Sequence, residues 1–303
     1  MSRAPGARAG SGRARGRERP APVVVVLAFL GATLLLLPIL GLVARAPWTD
    51  LWSVLTDSET LTALRLTVWC SSWAAAISLV LGVPLAWVLA RLEFPGRRAL
   101  RAACTLGLVL PPVVGGVALF AALGRRGLVG QWLDQGLGIR LPFSTAGVIV
   151  AQTFVAMPFL VLTVEAGLRA ASRSPEEAAR TLGASPWYRF TRVTLPSIRP
   201  ALIAGVVLAW TRALGEFGAT ITFAGNFPGR TQTLPLAVYR ALETDPDRAV
   251  LLALVLVLVS FVVLVSMRGW WWGGEGGERP RRAGTDDDDD DARDREPVAP
   301  GPP

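Results

Sequence analysis

Apolar residues in this chain come in long blocks, and neither strand alternation nor a narrow amphipathic stripe explains their length. Six blocks reach the roughly 20 apolar residues that a helix needs to cross a bilayer core: 23–43, 64–90, 102–123, 146–168, 201–223 and 249–267. Polar and charged positions collect between them. The pattern predicts an all-α, polytopic membrane protein with six transmembrane helices. The first block follows an arginine-rich start, yet it outruns the apolar core of about 7–15 residues of a secretory signal. It is therefore read as a retained helix over 21–43, bent at Pro38, with five further spans in a core over 60–268.

Charge gives the blocks a direction. The segment before the first span, the loops after the second and fourth, and the C-terminal tail together hold 22 arginines, and the alternate segments hold 7. The positive-inside rule puts both termini in the cytoplasm, as an even number of spans requires. Residues 1–20 predict a disordered Arg-rich arm drawn to anionic lipid. Residues 273–303 predict a disordered acidic tail, in which the six aspartates Asp286 to Asp291 repel one another and stay solvated. Trp270, Trp271 and Trp272 sit where interface anchors belong. The chain is 51% hydrophobic and 18% charged, below the quarter or so usual for a soluble domain. Because the arginines fall between apolar blocks, the net charge of +8 points to topology and away from nucleic acid. There is no histidine, which removes imidazole bases and histidine metal sites. Cys70 and Cys104 lie inside apolar runs and read as small buried hydrophobes. No catalytic or metal-binding residue is assigned.

The loop between the fourth and fifth spans is the most ordered polar stretch. Over 174–196, Ser174 predicts an N-cap, Pro175 a first helical position and Glu177 the far end of a capping box. Ala178, Ala179 and Leu182 give a small-residue face, and Gly183 a C-terminal stop. Ser185 and Pro186 start a second short helix that runs to Leu195-Pro196. A loop with this much internal order suits docking better than passive connection. Glu177-Ala178-Ala179, Gly183, and then Val193-Thr194-Leu195-Pro196 at their spacing resemble the EAA motif of ABC importer permeases. The resemblance covers roughly 60–267. It implies a type I importer permease fold in the bacterial inner membrane. It further implies that Glu177, Ala178, Ala179, Gly183, Leu195 and Pro196 couple the chain to a dimeric cytoplasmic ABC ATPase. ATP and Mg would be used by that partner, since this chain has no phosphate-cradling glycine loop.

Span five narrows the cargo. Arg212 to Phe223, the Gly225-Asn226-Phe227-Pro228 turn and Thr233 to Tyr239 resemble the molybdate branch of these permeases, with sulfate and thiosulfate permeases as near relatives. That resemblance implies an extracytoplasmic molybdate-binding protein and a homodimer of this chain. Arg212 and Glu216 are four residues apart in mid-span, where charge is costly. With Gly215 and Gly218 they either line the translocation pathway or form an internal ion pair. Glu165 and Arg169 read as interface-snorkelling side chains. Gln152 and Thr153 either bond between helices or face a cavity, and 124–133 reads as a periplasmic amphipathic turn, either plain surface or a contact for a binding protein. An ion-coupled secondary carrier is disfavoured, because Glu216 is its one deep acid.

Overall fold

The structure is a computed structural model that describes residues 21–272. The expected arm over 1–20, the tail over 273–303 with Asp286–Asp291, and the side chains of Trp270, Trp271 and Trp272 lie outside the described residues. Among the described residues the chain is helical and holds no strand. The helices are α1 (Pro22–Ala44), α2 (Leu51–Thr56), α3 (Ser58–Arg91), α4 (Arg97–Val109), α5 (Pro112–Leu123), α6 (Gly130–Leu137) and α7 (Thr145–Ala170). The three short helices α8 (Ser174–Thr181), α9 (Pro186–Arg189) and α10 (Leu195–Ser197) follow. The chain continues through α11 (Arg199–Leu214), α12 (Gly218–Ala224), α13 (Leu234–Thr244) and α14 (Pro246–Trp272).

Four helices, α1, α3, α7 and α14, are long and apolar enough to cross a bilayer unaided. A fifth crossing arises if α11 is joined to the stretch over Pro186–Ser197, to which it is bent by 77°. Two of the six expected spans are therefore not continuous. The block over 102–123 divides into α4 and α5, because Leu110 is extended (φ −62°, ψ 125°) and Pro111 follows it. A residue before proline is pushed out of the helical region, and proline donates no N–H. The block over 201–223 divides into α11 and α12 across Gly215–Phe217.

The core is a three-helix contact between α3, α7 and α11. Ala74, Val83, Ala86 and Leu89 of α3 meet Ala156, Leu160, Val161 and Val164 of α7, and Ala209 and Ala213 of α11 close the third side. Alanines are half of these residues and Gly82 and Gly205 abut Leu160 and its neighbours, because, without a hydrophobic drive between helices in lipid, close backbone approach supplies the packing. A Cβ on Gly167 would lie 2.3 Å from the Ala201 Cβ. By contrast α1 buries no residue, and its leucines stand out from the molecule. The outer faces of α3, α5 and α14 expose valine, leucine and phenylalanine in the same way.

Helix α3 is fastened at both ends. At its start Asp57 accepts from Thr60 N (3.3 Å) and from Arg248 of α14, while Arg240 of α13 reaches Glu59 at 2.9 Å. At its finish Arg91 enters the site described next.

Candidate functional site: a clamped loop and a paired helix break

Ala170 ends α7, and the chain turns through α8, a left-handed Gly183 (φ +79°) and α9. A π-helical stretch over Phe190–Thr194 and α10 lead to the 77° bend into α11. Gly183 is required where it stands, since a side chain at this φ is strained. Ser185 Oγ accepts from Tyr188 N at 3.2 Å, so the expected cap on the second helix is made. The expected capping box on the first is not. Arg173 occupies the cap position, Ser174 and Pro175 fall inside the first turn, and no side chain caps it. Ser172 Oγ accepts from Ser174 N at 3.3 Å instead. Proline fits the first turn of a helix without needing its missing donor. Here it has drawn the serine in with it.

The motif residues face outward in part. Glu177, Ala178, Gly183 and Pro196 are exposed, while Ala179 and Leu195 are half-buried. Beside them Leu182 (87% exposed) and Trp187 (73%) stand clear of the molecule. The loop is nonetheless tied down. A single oxygen, Glu176 Oε1, accepts from Arg91 Nη2 at 3.0 Å and from Thr194 Oγ1 at 3.1 Å. One carboxylate thus joins the end of α3, the first loop helix and the second. Thr194 is buried and the Arg91 side chain is 8% exposed, so water competes little for these bonds. Trp87 of α3 meets the Phe190 ring edge-on at 6.1 Å and walls a cavity of about 590 Å³ between helix and loop. Thr194 falls within the 193–196 stretch of the motif read from the sequence, whereas Arg91 and Glu176 lie outside it. Glu176 directly precedes Glu177, and only contact with α3 distinguishes their roles.

One layer deeper, Glu165 corrects its sequence reading. It does not snorkel to the interface: its side chain is 4% exposed and accepts from Arg101 Nε at 3.0 Å and Arg169 Nη2 at 2.8 Å. Arg101 Nη2 and Arg97 Nε also donate to the Leu89 carbonyl, at 3.1 and 2.9 Å. Arginines at the start of α4 therefore fasten it to α3 and α7. The burial is possible because two guanidiniums satisfy one carboxylate.

Arg212 and Glu216 form an ion pair, Nη1 to Oε2 at 2.6 Å, across the end of α11. Glu216 is 1% exposed, and its other oxygen accepts from Ala219 N at 2.7 Å, so it also caps α12. Arg212 keeps 26% of its side chain exposed. The break at Gly215–Phe217 is packed against the other broken helix. A Cβ on Gly218 would lie 2.8 Å from Pro112 Cβ, and one on Gly116 would lie 1.7 Å from Thr222 Oγ1. Thr153 spends its hydroxyl on Ile149 O within α7 at 2.7 Å, whereas Gln152 is fully buried with neither end of its amide bonded.

Residues 78–270 match the family described as binding-protein-dependent transport system inner membrane component. The molybdenum transport system permease protein ModB of Mycobacterium tuberculosis (strain ATCC 25618 / H37Rv) is 45% identical over 240 residues, which is 79% of this chain and 90% of that protein. The sulfate transport system permease protein CysT of Escherichia coli (strain K12) is 38% identical over 238 residues, 77% of this chain and 86% of CysT. In three dimensions the chain is similar to a chain of a bacterial ABC transporter involved in the import of the acidic polysaccharide alginate. The TM-score is 0.66 at 19% identity, covering 82% of this chain and 95% of the other.

Proposed function

The chain belongs to the binding-protein-dependent transport system inner membrane components, and from that premise we propose that it is the permease subunit of an ATP-driven importer of molybdate. It is a multi-pass protein of the bacterial inner membrane. The loop over 174–196 faces the cytoplasm and seats in a dimer of a separate ABC ATPase, which binds and hydrolyses Mg-ATP. Glu177, Ala178, Ala179, Gly183, Leu195 and Pro196 form the seat, and Leu182 and Trp187 give it an exposed apolar edge. Closure of the ATPase moves the loop, and with it the helices it is bonded to. The observation that carries this reading is the clamp at Glu176. An ordered loop bonded to a third helix transmits displacement, where a slack linker would absorb it.

Two copies of the chain enclose the pathway, and an extracytoplasmic molybdate-binding protein delivers cargo to it. The breaks at Pro111 and Gly215 interrupt two apolar blocks, and irregular backbone within a membrane is tolerated only inside protein or along a cavity. Arg212, Gly215, Glu216 and Gly218 lie at the second break. Because Glu216 neutralises Arg212, the pair offers a passing dianion a partly exposed guanidinium without a deep electrostatic trap, and passage requires weak sites. Identity of 45% to a molybdenum permease against 38% to a sulfate permease supports molybdate as cargo. Sulfate is the second reading.

Uptake of labelled molybdate at low nanomolar concentration, with and without the gene and with excess sulfate, tests the cargo. Uptake that is lost on deletion and resists sulfate is expected; uptake indifferent to deletion overturns molybdate. Gly183→Asp tests the loop. It is expected to leave the protein in the membrane with ATP hydrolysis retained and import lost, and normal import overturns the assignment.

A further inference from the structure

Helix α7 starts at Thr145, and the 174–196 loop follows its far end, so residues just before Thr145 lie at the opposite end of the molecule. Thr145 Oγ1 donates to Arg230 O at 2.8 Å, which brings the turn after α12 to the same place. Between them is a cavity of about 410 Å³ lined by Arg125, Arg126, Arg140 and Arg230, with Phe120 and Phe143 as apolar walls. Two of the four guanidiniums share one carboxylate. Asp134 accepts from Arg140 Nε at 2.7 Å and from Arg125 Nε at 3.2 Å. Arg126 and Arg230 have no acidic partner among the described residues.

A second feature marks the same spot. Phe143 is the one non-glycine residue with positive φ (58°) among the described residues. A bulky side chain in that conformation is strained, and such strain persists where surrounding structure holds it. Here its ring meets Phe120 at 6.0 Å and Phe227 at 6.1 Å, both edge-on. Gly225 (φ +75°) makes room, since a Cβ there would lie 2.7 Å from the Phe227 ring and 3.2 Å from that of Phe143. The arginines therefore surround a stiff aromatic floor. The sequence shows this region as an amphipathic turn over 124–133, either plain surface or a contact for a binding protein. Arg140 and Arg230 are too distant in the chain to be joined to it without the fold.

We propose that this cavity is a vestibular site for a tetrahedral oxyanion of the molybdate and sulfate class, held by Arg126 and Arg230 with Arg125 and Arg140 completing the positive rim. The arginines are exposed, so the site works by attraction and brief residence. A cleft lined by one sign of charge raises local anion concentration and on-rate by about 10–10³-fold. The guanidinium fork suits oxyanion oxygens better than a point charge does. Asp134 reduces the field and keeps two of the four arginines in place. Its role in import rests on the function proposed above; its anion binding does not.

The test uses the intact permease–ATPase complex in lipid nanodiscs without binding protein, probed with radiolabelled molybdate and, separately, sulfate. Both anions are expected to bind at low salt and to bind more weakly, though still measurably, as ionic strength is raised to about 0.15 M, where the screening length is about 8 Å. Arg126→Gln/Arg230→Gln is expected to weaken binding about tenfold or more. Asp134→Asn is expected to strengthen it, an opposite sign that misfolding does not produce. Equal anion binding by the double variant and wild type overturns the proposal. So does a double variant that binds both anions as wild type does but, once the binding protein is added to the nanodiscs, fails to dock it, which would make the face a protein contact. Anion binding that follows these signs while cells import no molybdate leaves the vestibule standing and removes the cargo assignment alone.

Discussion

Glu176 and Glu177 are neighbours with opposite surroundings, and the difference sets their tasks. Glu177 points into solvent, whereas Glu176 holds Arg91 and Thr194 in a mostly dry pocket. Hydrogen bonds to a charged group contribute about 1.5–3 kcal/mol. Glu176→Ala is therefore expected to loosen the loop from α3 by about that amount. ATP turnover by the complex should continue while the ratio of anion imported to ATP hydrolysed falls several-fold, measured in proteoliposomes; an unchanged ratio would show that the clamp transmits nothing. Asp134 makes a pH-dependent contact of another kind. Hydrogen bonds from Arg140 and then Arg125 hold its carboxyl below the ordinary value of 3.8. A carboxyl with a lowered folded pKa stabilises the fold above the unfolded value, and that stabilisation disappears as pH falls through the folded one. Melting of wild type and Asp134→Asn is expected to differ slightly at pH 7 and pH 5 and to converge below about pH 3.8.

At the scale of the element, the two broken spans share one cause. Hydropathy measures length and composition, and the blocks over 102–123 and 201–223 stay apolar across their breaks. The proline signal at Pro111-Pro112 was present, but one break cannot be located in depth without its partner. The structure supplies that partner, packing α5 on α12 so that Gly116 and Gly218 touch the opposite helix. Gly116→Val is expected to cost about 1–3 kcal/mol or more, because added bulk at a filled contact forces backbone shifts. Lower melting temperature and lower yield in the membrane would report it, while the same change at Gly31, which has open space around it, should be silent. The loop helices were legible because prolines, the Ser185 cap and Gly183 act over three or four residues, although the Ser174 cap is not made. The Arg91 clamp and the Glu165 triad were not, since their partners lie 85 and 64 residues away.

For the whole molecule, apolar residues on the outside of α1, α3, α5 and α14 need lipid or a second chain to cover them. A purified complex examined by native mass spectrometry is expected to carry two copies of this chain; a single copy would remove the proposed enclosure of the pathway. Membrane character was plain from the sequence, because six long apolar blocks admit few alternatives. Which faces meet lipid and which meet helix was not, since α1 and α14 are apolar all round. Helix α3, at 34 residues, measures about 51 Å, well beyond a hydrocarbon core of about 30 Å. It is bolted to Arg248 and Arg240 at one tip and to Glu176 at the other. A rod fastened at both surfaces cannot carry messages one way only. If docking of a partner at the Asp57 tip changes the affinity of the ATPase for the loop by some factor, thermodynamic reciprocity requires the ATPase to change the partner's affinity by that same factor.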